Sequence, residues 1–260
     1  MSKTISKMHA LAAGVILLAT ATASQAAVLD WSAQPAWSGT SNSYNVDGIP
    51  GNDITVSEVI SGGATFTAGF PVISAFNTTT GLTFRVSTMG TLGSGRVTIT
   101  IDFTGAYATS GAIASFSLND VDKDFSPNNF LDQVTVTAVG KDLTTALPIT
   151  ITNNATTGGP TSNSLSGSGT TTASAVGISS TTNDPTGDVN VSVGTAANGG
   201  VRRITIVWDN PDATHRGTQT INLDNITFTP APEVASSSAA LFLCAGLFAF
   251  SRRRSLRATA

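Results

Sequence analysis

Four aspartates, Asp120, Asp122, Asp132 and Asp224, stand at the ends of alternating apolar stretches. In an extended strand, residues two apart share a face. Phe116 and Leu118 set a core-facing parity that Asp120 and Asp122 continue; Asp132 shares parity with Val134 and Val136, and Asp224 with Ile226 and Phe228. Carboxylates that point toward a core stay charged only when paired or coordinated. Lys123 is the only base nearby in sequence. A hard cation that takes roughly six to eight oxygens suits this composition, so calcium is the expected ion, in a structural role. The four acids are expected to converge at one end of the fold. Asp120-x-Asp122-x-Asp124 opens like an EF-hand loop, but Phe125 stands where the glycine belongs and Leu131 where the glutamate belongs. It is not an EF-hand. The alternative at a strand end is a solvated turn with Asx hydrogen bonds.

Other chemistry is thinly supplied. His9 lies in the N-terminal apolar segment, which leaves His215, within Asp212-Ala-Thr-His-Arg216, as the one histidine of the central body. A Ser-His-Asp arrangement would have to use it, and no Gly-x-Ser-x-Gly elbow is present. Glycoside hydrolysis needs two carboxylates in unlike environments, and Glu58 is the only glutamate before the C-terminal tail. The expectation is a protein without catalytic residues. Trp31 and Trp37 could stack on sugar rings or be buried in the first strands; Trp208 shares parity with Ile204 and Ile206 and is expected in the core.

The elements that must position these residues are strands. Val97-Thr-Ile-Thr-Ile-Asp-Phe103, Val134–Thr137, Val189–Val193, Ile204–Trp208 and Ile226–Phe228 alternate with period two. With Asp53–Ile60, Ala64–Phe70, Leu82–Ser87, Ala112–Leu118 and Leu147–Ile151, about nine or ten short strands are predicted between turn residues. Such a pattern favours an all-β fold, an antiparallel β-sandwich or jelly roll over residues 27–229. Asn153 to Thr182, rich in Thr, Ser and Gly, is expected to be a flexible surface excursion rather than edge strands. The single Cys244 excludes a disulfide framework and a thiolate zinc site. Residues 27–232 carry seven basic and fifteen acidic side chains, a net near −8, which excludes nucleic-acid binding by counterion release.

Both ends read as addresses. Residues 1–26 have Lys3 and Lys7, then the apolar run Leu11–Leu18, then small residues before the expected cleavage after Ala26, with Ala27 the alternative. Val234–Phe250 is uncharged over 17 residues and is followed by Arg252, Arg253 and Arg254. As a helix it rises ~25 Å, the short limit for a membrane span, with the arginines on the cytoplasmic side and the body exported. It would serve as a permanent anchor unless processed.

This order of Pro232-Glu233, short apolar helix and Arg run over residues 230–260 resembles the PEP-CTERM sorting signal of Gram-negative bacteria. Val234 stands where that motif has its second proline. The resemblance implies exosortase and the secretion machinery as partners, transient anchoring in the inner membrane, and delivery of the body to the cell surface or extracellular matrix. The body, over roughly 95–229, also resembles ectodomains found ahead of such tails, through Asn119-Asp-Val-Asp122, Asp132-Gln-Val-Thr-Val136 and Leu223-Asp-Asn-Ile-Thr-Phe228. That resemblance implies a fold rather than an activity. The expected function is a non-enzymatic surface module, adhesive or binding extracellular polysaccharide. The rivals are an exported hydrolase of such polysaccharide and a matrix material without ligand.

Overall fold

Val97, Ile99, Ile101 and Phe103 are all fully buried while Thr98, Thr100 and Asp102 between them are partly exposed, so the alternation in this stretch is the alternation of a strand. The computed structural model describes residues 26–76, 79–89, 94–124, 130–154, 163–178, 187–211 and 217–232. The strands are β1 (Ala27–Leu29), β2 (Ser41–Tyr44), β3 (Ile54–Ser61), β4 (Thr65–Phe66), β5 (Val72–Phe76) and β6 (Thr79–Thr88). There follow β7 (Arg96–Phe103), a short helix α1 (Gly105–Ser110), β8 (Ala112–Asn119), β9 (Lys123–Asp124), β10 (Phe130–Leu131), β11 (Gln133–Gly140) and β12 (Ile149–Asn153). The last are β13 (Asn163–Ser166), β14 (Thr172–Gly177), β15 (Val189–Val193), β16 (Val201–Asp209), β17 (Gln219–Leu223) and β18 (Ile226–Pro230).

All pairings are antiparallel, and apart from the small β9–β10 ribbon the strands belong to one sixteen-stranded sheet. One arm runs β2–β3–β7–β16–β11–β14–β13. The other runs β12–β15–β8 and then divides. The N-terminal half of β8 pairs with β18, which holds β1; its C-terminal end pairs with β17, which leads to β6 and β5. The arms are joined where Val201 of β16 pairs with Ala112 of β8. There Gly200 has a φ of 78°, and a Cβ on it would lie 2.8 Å from the Ala112 nitrogen. Only glycine lets the sheet turn this corner.

The inward faces of both arms contribute to one hydrophobic cluster that includes Trp31, Phe84, Phe103, Trp208 and Phe228. Each such side chain, fully removed from water, stabilises the fold by roughly 1.5–3 kcal/mol before entropy is counted. Tyr107 of α1 sets its ring edge against Phe228 and closes one end.

The all-β expectation holds, and three details are corrected. The strand expected over Ala64–Phe70 is present only at Thr65–Phe66, because Gly69 adopts a φ of 87° and interrupts the extended run. The excursion expected from Asn153 to Thr182 contains the hairpin β13–β14, docked on β11 at the sheet edge. Its inward residues include Ala173 and Ala175, both fully buried, whose small side chains give a weak alternation signal. More strands are present than the nine or ten expected, several of only two to four residues. The expected signal segment 1–25 and the apolar helix 234–250 lie outside the described residues, among which no helix is long and apolar enough to cross a membrane.

Candidate cation site at the turn after β8

β8 ends at Asn119, and Asp120 then takes a left-handed φ of 68°, a conformation that aspartate tolerates better than most residues. The flip ends the strand parity, so Asn119, Asp120, Val121 and Asp122 are all buried. The acids are therefore buried by packing rather than by the continued alternation expected from sequence. Gly187 O accepts from Val121 N at 3.0 Å, and Asp188 Oδ1 accepts from Asp120 N at 3.2 Å. From the other side Gly177 of β14 lies so close that a Cβ on it would sit 2.3 Å from the Asp122 carbonyl.

Asp132, just before β11, completes the site. It is fully buried, its backbone N–H donates to Asp122 O at 2.8 Å, and its carbonyl accepts from Gly177 N at 3.0 Å. Trp208 Nε1 donates to Asp132 Oδ1 at 2.8 Å, and Asp122 N approaches Asp132 Oδ2 at 3.5 Å. Asn163 of β13 joins through a shared acceptor, since its Nδ2 donates at 3.1 Å to the Gly187 carbonyl that also receives Val121 N.

The electrostatics are those of crowded acids in low dielectric. Burial, then the negative charges of Asp120 and Asp124, push the Asp122 carboxyl up to about 8, against a hydrogen-bonding contribution from Asp132. Burial and the Asp122 charge push Asp132 well above the usual carboxylate range, opposed by the Trp208 hydrogen bond. Among the described residues, the buried oxygens Asp122 Oδ1 and Asn163 Oδ1 have no hydrogen-bond donor. Asp122 is 2 % exposed and Asn163 4 %. The cluster thus has acceptors in excess of donors.

Of the four acids expected together, Asp120, Asp122 and Asp132 meet and Asp224 does not. Asp224 N donates to Ser117 O, three residues back along β8 from Asp120, which at ~3.3 Å per residue is about 10 Å away along the strand. Its Oδ1 accepts from Asn225 N, its carbonyl accepts from Trp31 Nε1, and burial raises its carboxyl. Asp188 and Asn163, which sequence reasoning passed over, occupy the place intended for it. Ala27 is buried in β1, Ala26 and Pro232 are exposed, and Glu233, Arg252, Arg253, Arg254 and His215 lie outside the described residues.

The residues that could hold a hard cation are Asp120, Asp122 and Asp132, with the amide oxygen of Asn163 as a neutral ligand. Among the described residues no group of three or more His, Cys, Asp or Glu side chains already surrounds a common point. The acids adjoin one another. No protein-family model, curated protein or solved structure matches this chain.

Proposed function

We propose that this chain is an exported surface or extracellular-matrix protein whose body is a non-enzymatic β-sandwich of jelly-roll type, sorted by exosortase and stabilised by calcium. One observation carries the export reading. Ala27, the first residue after the expected cleavage, pairs with Phe228 at the far end of the fold, and Ala231, the residue before Pro232, is still buried. The folded body thus fits between the two expected processing signals. The tail would hold it at the inner membrane until processing delivers it to the surface, where it would act by adhesion or by binding polysaccharide.

The calcium reading rests on the oxygens of Asp122 and Asn163, which have no donor among the described residues, beside Asp120 and Asp132. Calcium bound only by the folded state adds ~2.7 kcal/mol at a hundredfold excess over Kd. The raised Asp122 carboxyl is what a hydrolase acid would need, and its burial favours the non-enzymatic reading.

Thermal melting of the purified protein tests the calcium reading. Chelator should lower Tm by several degrees, and Asp122→Ala should remove that sensitivity. A melt indifferent to chelator sinks it. The sorting reading is tested by replacing Pro232 and Glu233 with alanine, which should leave unprocessed protein in the inner membrane; normal processing counts against it.

A further inference from the structure

The outward face of β12, β15, β8 and β18 forms a concave cup of about 330 Å³. Register places Thr150, Ser192, Ser115 and Thr227 side by side in one row across the four strands. Two residues along, Thr152, Asn190 and Ser117 form a parallel row. Asn225 lines the cup beyond Ser117, with its Oδ1 already fixed by Trp31 N at 2.9 Å. Within the second row Ser117 Oγ donates to Asn190 Oδ1 at 2.7 Å, which leaves the Asn190 amide N–H groups for a ligand.

We propose that this cup binds a neutral polysaccharide segment laid across the strands. Hydroxyls and amides both donate and accept, as sugar hydroxyls do. The inter-strand step of ~4.8 Å is close to the length of one pyranose ring, so successive strands meet successive sugars. Among the described residues no charged side chain lines the cup. An anionic glycan would call for Arg or Lys, and the body's net charge near −8 repels one. A protein partner would call for exposed aromatic or Arg anchors, and Phe116, the one aromatic residue among those lining the cup, is buried. The site deepens the reading of a polysaccharide-binding surface module and rests on it only for where the glycan is met.

Calorimetric titration of the purified protein with cellohexaose, maltohexaose and laminarihexaose, and with oligogalacturonate as the anionic comparator, tests the site. At least one neutral hexaose should bind with little change between low and high salt, because no ion pair is involved. Ser115→Arg and Ser192→Arg change outward positions and should keep the wild-type melt while weakening binding about tenfold or more. Absence of binding by all three neutral glycans overturns the proposal. So does tighter binding of oligogalacturonate, or undiminished binding by folded Ser115→Arg. Export and chelation do not enter this titration, so the preceding reading and this one can fail separately.

Discussion

Trp208 and Asp132, each fully buried, are joined by a hydrogen bond of 2.8 Å from the indole Nε1 to the carboxyl Oδ1, between β16 and the residue that precedes its partner strand β11. Tryptophan in a core generally finds a partner for its one polar atom. Here that partner is a fully buried acid beside Asp122, so the indole both fills the core and steadies the cluster.

Replacing Trp208 with Phe should therefore cost more than lost area. The acid loses a donor, a penalty of about 1–3 kcal/mol, added to the smaller ring's packing loss. Asp132→Asn keeps an acceptor for Trp208 and removes the crowded charge, so it should be milder. Chemical denaturation of both variants checks the order. Equal or reversed losses would show that the hydrogen bond contributes little.

The acid pair also fixes a pH dependence. Asp122 and Asp132 have folded-state values raised above those of unfolded aspartate, so the folded state holds protons that the unfolded state has released. Their contribution is complete below the unfolded value near 4 and is lost as pH rises toward about 8. Without divalent cations Tm should fall by ~5 °C or more between about pH 5 and about pH 8. Saturating calcium, which binds the charged form, should flatten that fall. A chelated melt that rises over the same interval excludes raised acids as the dominant groups.

What could be read from the sequence, and what could not, follows from physical range. Val97–Phe103 and Ile204–Trp208 were legible because large apolar residues recur at every second position and those positions, Val97, Ile99, Ile101, Phe103, Ile204, Ile206 and Trp208, are all buried. The β13–β14 hairpin was not, because alanine and serine differ too little in hydrophobicity to mark a face. Asp120, Asp122 and Asp132 do lie together, but through the turn at Asp120 rather than through continued alternation, and parity tells only which face a residue takes, not how far along the strand it sits. Asp224 was misplaced for that reason. Asp188 and Asn163 reach the cluster through the Gly187 segment, a contact between distant parts of the chain. An acid standing immediately before Val189–Val193 was the available signal for Asp188; Asn163 had none.

Close backbone approach gives a third test. A methyl at Gly177 would meet the Asp122 carbonyl carbon and oxygen at 2.3 Å, and backbone cannot yield as a side-chain end can. Gly177→Ala should destabilise by roughly 2–3 kcal/mol and loosen the site, a severe effect of the overpacking kind. Gly169→Ala, in the same hairpin, faces open space and carries only the strain of its φ of 84°, so about 1 kcal/mol is expected. Comparable losses at the two positions would mean that the β14 end moves freely away from the acid turn.

The first strand gives the last prediction. β1 has three residues, yet Leu29 is fully buried and Ala27 nearly so, and its ladder runs Ala27–Phe228, Val28–Thr227 and Leu29–Ile226. Just beyond it Trp31 packs T-shaped against Tyr44, ring centroids 5.7 Å apart, and holds Asn225 and Asp224 by two backbone-linked hydrogen bonds. A protein beginning at Ala27 keeps all of this. One beginning at Asp30 loses the Leu29 side chain, about 2–5 kcal/mol for a large core residue, together with the ladder. Cleavage one residue later, after Ala27, removes only a small side chain and one pair, so it should cost about 1 kcal/mol or less. Melting of proteins starting at Ala27, Val28 and Asp30 should therefore show a small step and then a large one. An equal melt for the first and last would mean that β1 adds nothing to the fold, and would take away the structural support for cleavage at Ala26.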